Sequence, residues 1–110
     1  MTLRELGDCY EVNGRHFIDN FQYDAGARLC HGTAIGYGKI KGVKFGHCWI
    51  ELNDILVIDI SNGNNAHLLK SRYYEVGKIT DVKRYTWVEF MKLIQKTGFW
   101  SGELGISSKQ

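Results

Sequence analysis

The segment "FGHCWIEL", residues 45–52, contains side chains that could do chemistry. Its aromatic and aliphatic residues are typical of a half-buried strand, yet His47 and Cys48 lie side by side in its middle. A second apolar segment, "VIDI", carries Asp59 between aliphatic neighbours. A buried carboxylate needs a partner, and an imidazole on an adjacent strand would supply one. The pattern predicts a His47–Asp59 pair, in which the carboxylate selects the imidazole tautomer and stabilises its protonated form.

Such a pair could activate a nucleophile, and the chain offers three thiols for that role: Cys9, Cys30 and Cys48. Cys48 is adjacent to His47 in a strand, so its side chain points to the opposite face of the sheet. We therefore predict that Cys48 is a core residue. Cys30 lies in another predicted strand, beside His31, and no neighbour there would activate it.

Cys9 differs from the other two thiols because it directly follows Asp8, a good N-cap residue, and would be the first residue of a helix. The positive end of a helix dipole favours the thiolate form of a cysteine. A nucleophile, a base and an orienting group that meet in space form a catalytic set. We predict that Cys9 is the nucleophile, His47 the base and Asp59 the orienting group.

Each of these residues also has a structural interpretation. His47 could be a core histidine with its hydrogen bonds satisfied, and Cys9 an inert packed thiol. Asp59 begins the turn-like sequence "DISNG", where it could bond to Ser61 or Asn62 as a capping carboxylate.

The register of the hairpin between the two strands separates these interpretations. A two-residue turn at Asn53 and Asp54 would place Cys48 opposite Asp59. A three-residue loop, residues 52–54, would place His47 opposite Asp59 instead. A one-residue slip moves every side chain to the other face, so we expect the catalytic set to require the three-residue loop or an equivalent bulge.

A cysteine that opens a helix, then "GHCWIEL", then "VIDIS", resembles the papain-like and transglutaminase-like cysteine enzymes. Their motifs are a helix-opening Cys, a "GHAW"-type strand and a "VDPT"-type strand, in the same order. The resemblance covers residues 7–62 and implies that Cys9 is the nucleophile, His47 the base and Asp59 the orienting residue. It implies an acyl hydrolase or acyl transferase of the peptidase, amidase or transglutaminase type, which acts on an acyl or amide substrate without a cofactor.

The layout "GDCY…GHCWIEL…VIDIS" also resembles short phage proteins of this superfamily, which would place the chain in the host cytoplasm. An alternative function follows from this resemblance. A non-catalytic relative could sequester a host small molecule, a nucleotide signal or a host protein in the former active-site cleft. Under either function, Tyr10, Trp49 and Asn62 are predicted to contact the bound molecule.

The predicted elements make an α+β fold, a small antiparallel sheet with an N-terminal helix that bears Cys9 and a C-terminal helix. The C-terminal helix is predicted to begin after Thr86, which forms a capping box with Glu89, and to end at Gly98. The N-terminal helix is predicted to begin at Cys9. Between these two helices we predict strands at residues 27–35, 44–52, 55–60 and 79–85, and a short helix at 67–75.

Length and composition exclude several classes of protein. With 110 residues, of which 44% are hydrophobic, we expect one globular domain over residues 1–110. A net charge of +2 is too small to indicate nucleic-acid binding. No apolar run approaches the roughly 20 residues of a membrane span. The odd number of cysteines and the absence of a CxxC pair favour free thiols in the cytoplasm over disulfides or a zinc site.

Overall fold

A computed structural model describes residues 9–35, 42–61 and 66–101 of the chain. Its helices and strands, in chain order, are α1 (Cys9–Asn20), β1 (Ala27–Ile35), β2 (Lys44–Leu52), β3 (Leu56–Asp59), β4 (Ala66–Leu69), α2 (Lys70–Gly77), β5 (Thr80–Tyr85) and α3 (Trp87–Thr97). The predicted bounds of β1 and β2 are confirmed. The Asp8 cap predicted for α1 lies outside the described residues.

Within these ranges, the five strands form one antiparallel sheet in the order β4-β3-β2-β1-β5. The predicted α+β fold, with helices at both ends of the chain and an antiparallel sheet, is confirmed. β2 is the central strand, so both of its edges are paired, with β1 and with β3. None of the helices in the described ranges is both long enough and apolar enough to cross a membrane.

The two faces of the sheet pack against different helices. On the first face, α1 and α3 cover a core that includes Phe17, Leu29, Ile50 and Phe90. On the second face, α2 packs Tyr73 and Tyr74 against a smaller core of Cys30, Trp49 and Val57. Alternation along β2 divides its side chains between the faces: Cys48 and Ile50 face α1, while His47, Trp49 and Glu51 face α2.

Close packing of α1 depends on Gly14. A Cβ atom at this position would lie 2.7 Å from a ring carbon of Trp100 and 3.2 Å from the ring of Phe90. The absence of a side chain at Gly14 therefore permits this close approach.

The ends of α3 follow the predicted capping signals. The Thr86 hydroxyl accepts a hydrogen bond from the Glu89 backbone (3.2 Å), and the Glu89 carboxylate accepts one from the Thr86 backbone (2.8 Å). Gly98 adopts the left-handed conformation that ends the helix, with φ of 77°. Both predictions are confirmed.

The short helix predicted at residues 67–75 is present, but its predicted bounds are wrong. The segment is divided between strand β4, which ends at Leu69, and helix α2, which begins at Lys70. β4 pairs with β3 from Leu56–Leu69 to Asp59–Ala66. The strand has four residues, too few to show alternation, so its conformation comes from pairing at the sheet edge.

The predicted hairpin between β2 and β3 is confirmed, but neither predicted register is correct. Its loop is residues 53–55, and Leu52 pairs with Leu56 and Ile50 with Ile58. Asn53 and Asp54 adopt left-handed backbone angles, with φ of 53° and 61°. Continued by one residue, this register places Trp49 opposite Asp59.

Candidate active site

His47 and Asp59 form the polar centre of the candidate site. Nε2 of His47 lies 2.9 Å from Oδ2 of Asp59, and the two side chains are only 12% and 10% exposed. The observed register places Asp59 opposite Trp49, and opposite residues of an antiparallel pair project from the same face. His47, two residues before Trp49, projects from that face as well, so His47 and Asp59 are diagonal neighbours on the α2-facing side of the sheet. Direct opposition was therefore not required for the contact.

The two oxygens of Asp59 accept bonds from opposite sides. Oδ2 accepts from His47 and from the Tyr73 hydroxyl at 2.8 Å. Oδ1 accepts from Asn13 Nδ2 at 3.0 Å, and from the Ser61 backbone and hydroxyl at 3.0 and 2.6 Å. Asp59 thus both pairs with the imidazole and caps the turn at Ser61.

These bonds keep Asp59 ionised. Burial would raise the pKa of this carboxyl group, but the hydrogen bond and charge of His47, with the bonds from Ser61 and Asn13, hold that pKa well below its usual range. The ionised carboxylate therefore accepts a charge-assisted hydrogen bond from Nε2 of His47.

Aromatic rings surround His47 on the α2-facing side. The centroids of the Phe45, Trp49 and Tyr73 rings lie 5.7, 5.9 and 6.2 Å from that of His47, and the Tyr73 ring is stacked on it.

Burial alone lowers the pKa of His47. The bond to Asp59 and the interaction with Cys9 outweigh burial and raise that pKa to about 10. The site therefore favours the imidazolium form at neutral pH.

Cys9 is the first residue of α1 and is fully buried. The other His47 ring nitrogen, Nδ1, is also buried and has no hydrogen-bond partner among the residues described. Since interaction with Cys9 contributes to the raised pKa of His47, the thiol lies near the imidazole ring. The structure therefore brings Cys9, His47 and Asp59 together.

The other two thiols are placed differently. Cys48 lies in the core on the α1-facing side of the sheet, as predicted, and burial raises its pKa. Cys30 is buried in the smaller core, where burial and the nearby Glu51 carboxylate also raise its pKa. None of the three cysteines forms a disulfide.

The residues predicted to contact a bound molecule lie in the cores or outside the described ranges. Tyr10 is 4% exposed, and its ring packs edge-on against His31. Trp49 is fully buried, and its indole Nε1 donates to Glu51 at 2.9 Å. Asn62 lies outside the described residues. Contact of these residues with a substrate stays a prediction.

Two residues of the site were missed by sequence reasoning, Asn13 and Tyr73. Asn13 follows Cys9 by one helical turn and precedes Phe17 by another, so it is a polar residue on a buried stripe. A polar side chain among buried positions needs a hydrogen-bond partner, so this position of Asn13 could have indicated a role in the site. Tyr73 had no comparable signal, because only the packing of α2 on the second face turns its hydroxyl towards Asp59.

A second buried carboxylate, Glu51, supports this side of the sheet. It accepts bonds from Trp49, from the Tyr74 hydroxyl and from Arg84 Nε at 3.0 Å. Burial would raise the pKa of Glu51, but these bonds outweigh burial and lower it. The network holds the Trp49 ring against His47.

Within the described ranges, no group of three or more His, Cys, Asp or Glu side chains is arranged to hold a metal ion. The chain matches no protein-family model, no curated protein and no solved structure. The geometry of Cys9, His47 and Asp59 therefore carries the functional conclusion.

Proposed function

We propose that this protein is a cysteine-dependent acyl hydrolase or acyl transferase, in which Cys9 is the nucleophile, His47 the general base and acid, and Asp59 the orienting group. The observation that carries the proposal is the buried His47–Asp59 pair, in which Nε2 lies 2.9 Å from Oδ2. Interaction with Cys9 also raises the pKa of the same imidazole. An ionised carboxylate on Nε2 leaves Nδ1 as the nitrogen that exchanges a proton with the thiol.

In the first chemical step, the Cys9 sulfur attacks the acyl carbon and a carbon–sulfur bond forms. His47, which holds the thiol proton, gives that proton to the leaving amine or alcohol as its bond to the acyl carbon breaks. In the second step, water or an amine attacks the thioester. His47 accepts a proton from this second nucleophile, the carbon–sulfur bond breaks, and the thiol is restored when the proton returns to sulfur.

One observation favours a second candidate function, a non-catalytic protein that binds a host small molecule, a nucleotide signal or a host protein. Cys9 is fully buried, so acyl transfer requires the first turn of α1 to open enough to admit a carbonyl group. A binding protein would need no such opening. We also place the protein in the cytoplasm, where its three thiols would remain reduced.

An activated ester tests the proposal without knowledge of the natural substrate. Incubation with p-nitrophenyl acetate should release p-nitrophenol and leave one acetyl group on Cys9, detected by intact-mass measurement and peptide mapping. Cys9→Ala should abolish the adduct at this position, and His47→Gln should slow its formation on the order of 10³-fold, because the thiol loses its base.

Cys48→Ala is the matched control, since this buried thiol lies on the opposite face of β2 from His47. It should acetylate at Cys9 like the wild type. Acetylation at other positions only, or ester hydrolysis that survives in Cys9→Ala, would contradict the enzyme proposal and favour the binding protein.

A further inference from the structure

The side chain of Asn13 occupies the point where β2 and β3 stop pairing. The last pair in the ladder is Ile50–Ile58, and the same register would next bring together the backbones of Cys48 and Ile60. Instead, Asn13 Nδ2 donates to the Cys48 carbonyl at 3.0 Å, and the Ile60 N–H donates to Asn13 Oδ1 at 3.1 Å. The carboxamide thus takes the place of a backbone bond between the strands.

The same carboxamide reaches the Asp59 carboxylate. Its nitrogen also donates to Asp59 Oδ1 at 3.0 Å, so both N–H groups and the oxygen of Asn13 are used. Asn13 is fully buried. A flipped amide would set its oxygen against two acceptors and its nitrogen against a donor, so the bonding pattern permits one orientation only.

The position of Asn13 explains how groups from opposite sides of the sheet meet. Asn13 and Cys9 lie one turn apart on α1, which packs on the first face. His47 and Asp59 project from the second face, towards Tyr73 of α2. The opening between β2 and β3 is where α1 contacts the carboxylate, and Asn13 spans that opening.

We propose that Asn13 is a positioning residue of this site: its carboxamide holds β2 and β3 apart and keeps Asp59 in line with Nε2 of His47. The inference rests on the proposed function for the chemical meaning of the site. Its structural content does not depend on thiol chemistry, because Asn13 bonds to the carboxylate and not to a substrate.

Removal of the carboxamide should act through His47. In Asn13→Leu, Oδ1 of Asp59 would keep only its bonds to Ser61, and the carboxylate would turn towards that residue and away from the imidazole. We expect the titration midpoint of His47, followed by NMR of its ring nitrogens, to fall by at least about one pH unit from its raised value.

Phe17→Leu is the matched control, because Phe17 is fully buried on the same helix and makes no hydrogen bond to the site through its apolar side chain. It should lower the unfolding midpoint while leaving the His47 titration unchanged. A His47 midpoint in Asn13→Leu equal to that of Phe17→Leu would overturn the inference, since Asn13 would then only fill space.

Asn13→Asp provides a second test if the leucine variant does not fold. The side chains have the same shape, but a second carboxylate beside Asp59 must hold a proton to replace the lost donor. The pKa of this new carboxyl group would be raised in the folded state, so the free energy of unfolding of the variant should fall as the pH rises above about 4. A stability difference from the wild type that does not change between pH 4 and 8 would overturn the inference.

These outcomes are separable from those of the proposed function. The His47 titration needs no substrate and does not depend on acylation of Cys9. A shifted titration in Asn13→Leu together with an unreactive Cys9 would support the positioning role and reject the enzyme. An unshifted His47 titration together with an acetylated Cys9 would support the enzyme and reject the positioning role of Asn13.

Discussion

At the scale of single residues, Asp59 shows that a structural and a chemical role can share one carboxylate. Its Oδ1 atom caps the turn at Ser61 and accepts from Asn13, while Oδ2 accepts from His47 and Tyr73. The turn-capping and orienting interpretations of this residue therefore do not exclude each other. The cap holds one oxygen so that the other faces the imidazole.

The raised pKa of His47 predicts how stability changes with pH. In the folded protein this pKa is about 10, against an ordinary value of 6.5. The stabilisation is therefore complete below pH 6.5 and is lost as the pH rises towards 10, by at most about 1.4 kcal/mol per pH unit. In Asp59→Asn the carboxylate is absent and only the interaction with Cys9 opposes burial, so this loss between pH 6.5 and 8 should become smaller.

Urea unfolding of the wild type and Asp59→Asn at several pH values between 6.5 and 8 measures the difference. Both proteins keep the same three cysteines, so thiol ionisation contributes to both curves and largely cancels. Parallel curves for the two proteins would contradict the raised pKa of His47.

At the scale of elements, the β2–β3 hairpin shows what the sequence could predict and what it could not. Alternation correctly separated His47 from Cys48, because the faces of a strand follow from chain geometry alone. The register was wrong, because left-handed angles at Asn53 and Asp54 extended the loop to Ile55. The predicted contact between His47 and Asp59 is nevertheless present. It requires only that both side chains project from one face of the sheet, and not that they lie directly opposite each other.

Other elements depended on tertiary contacts that the sequence pattern does not contain. β4 is a strand because it pairs with β3 at the sheet edge, and a four-residue segment has no usable period. Tyr73 reaches Asp59 only because α2 covers the second face. In contrast, the Thr86 capping box and Gly98 are local signals, and both correctly predicted the ends of α3.

The Glu51 network joins three elements, and its loss should affect stability more than chemistry. Glu51 on β2 accepts bonds from Tyr74 on α2 and Arg84 on β5. In Glu51→Gln, the side-chain nitrogen would face donors, which should lower the free energy of unfolding by about 1–3 kcal/mol. The His47 titration should stay near its wild-type midpoint, because Glu51 makes no bond to His47 or Asp59.

Urea unfolding and NMR titration of Glu51→Gln measure these two effects. Arg84→Gln is the matched control, since it removes one donor whose side chain is partly exposed and should cost less. A His47 midpoint that moves as far as in Asn13→Leu would contradict this separation and show that the Glu51–Trp49 contact also holds the imidazole.

At the scale of the whole molecule, side chains from both faces of the sheet meet where the β2–β3 ladder ends. α1 supplies Cys9 and Asn13 from the first face, and the second face supplies His47 and Asp59. The sequence predicted the fold class and the three catalytic candidates, because helix starts and strand alternation are local patterns. It did not predict the opening, which exists only where the β2–β3 ladder ends beside α1.

The most direct test of the central claim is the relative reactivity of the three thiols. Cys9, Cys30 and Cys48 are all fully buried, so static exposure does not separate them, and burial raises the pKa of the latter two. Brief iodoacetamide labelling at pH 6 with peptide mapping should modify Cys9 at least about ten times faster than the others, and His47→Gln should remove that advantage. Equal or slower labelling of Cys9 in the folded wild type would make it a structural cysteine and contradict the account.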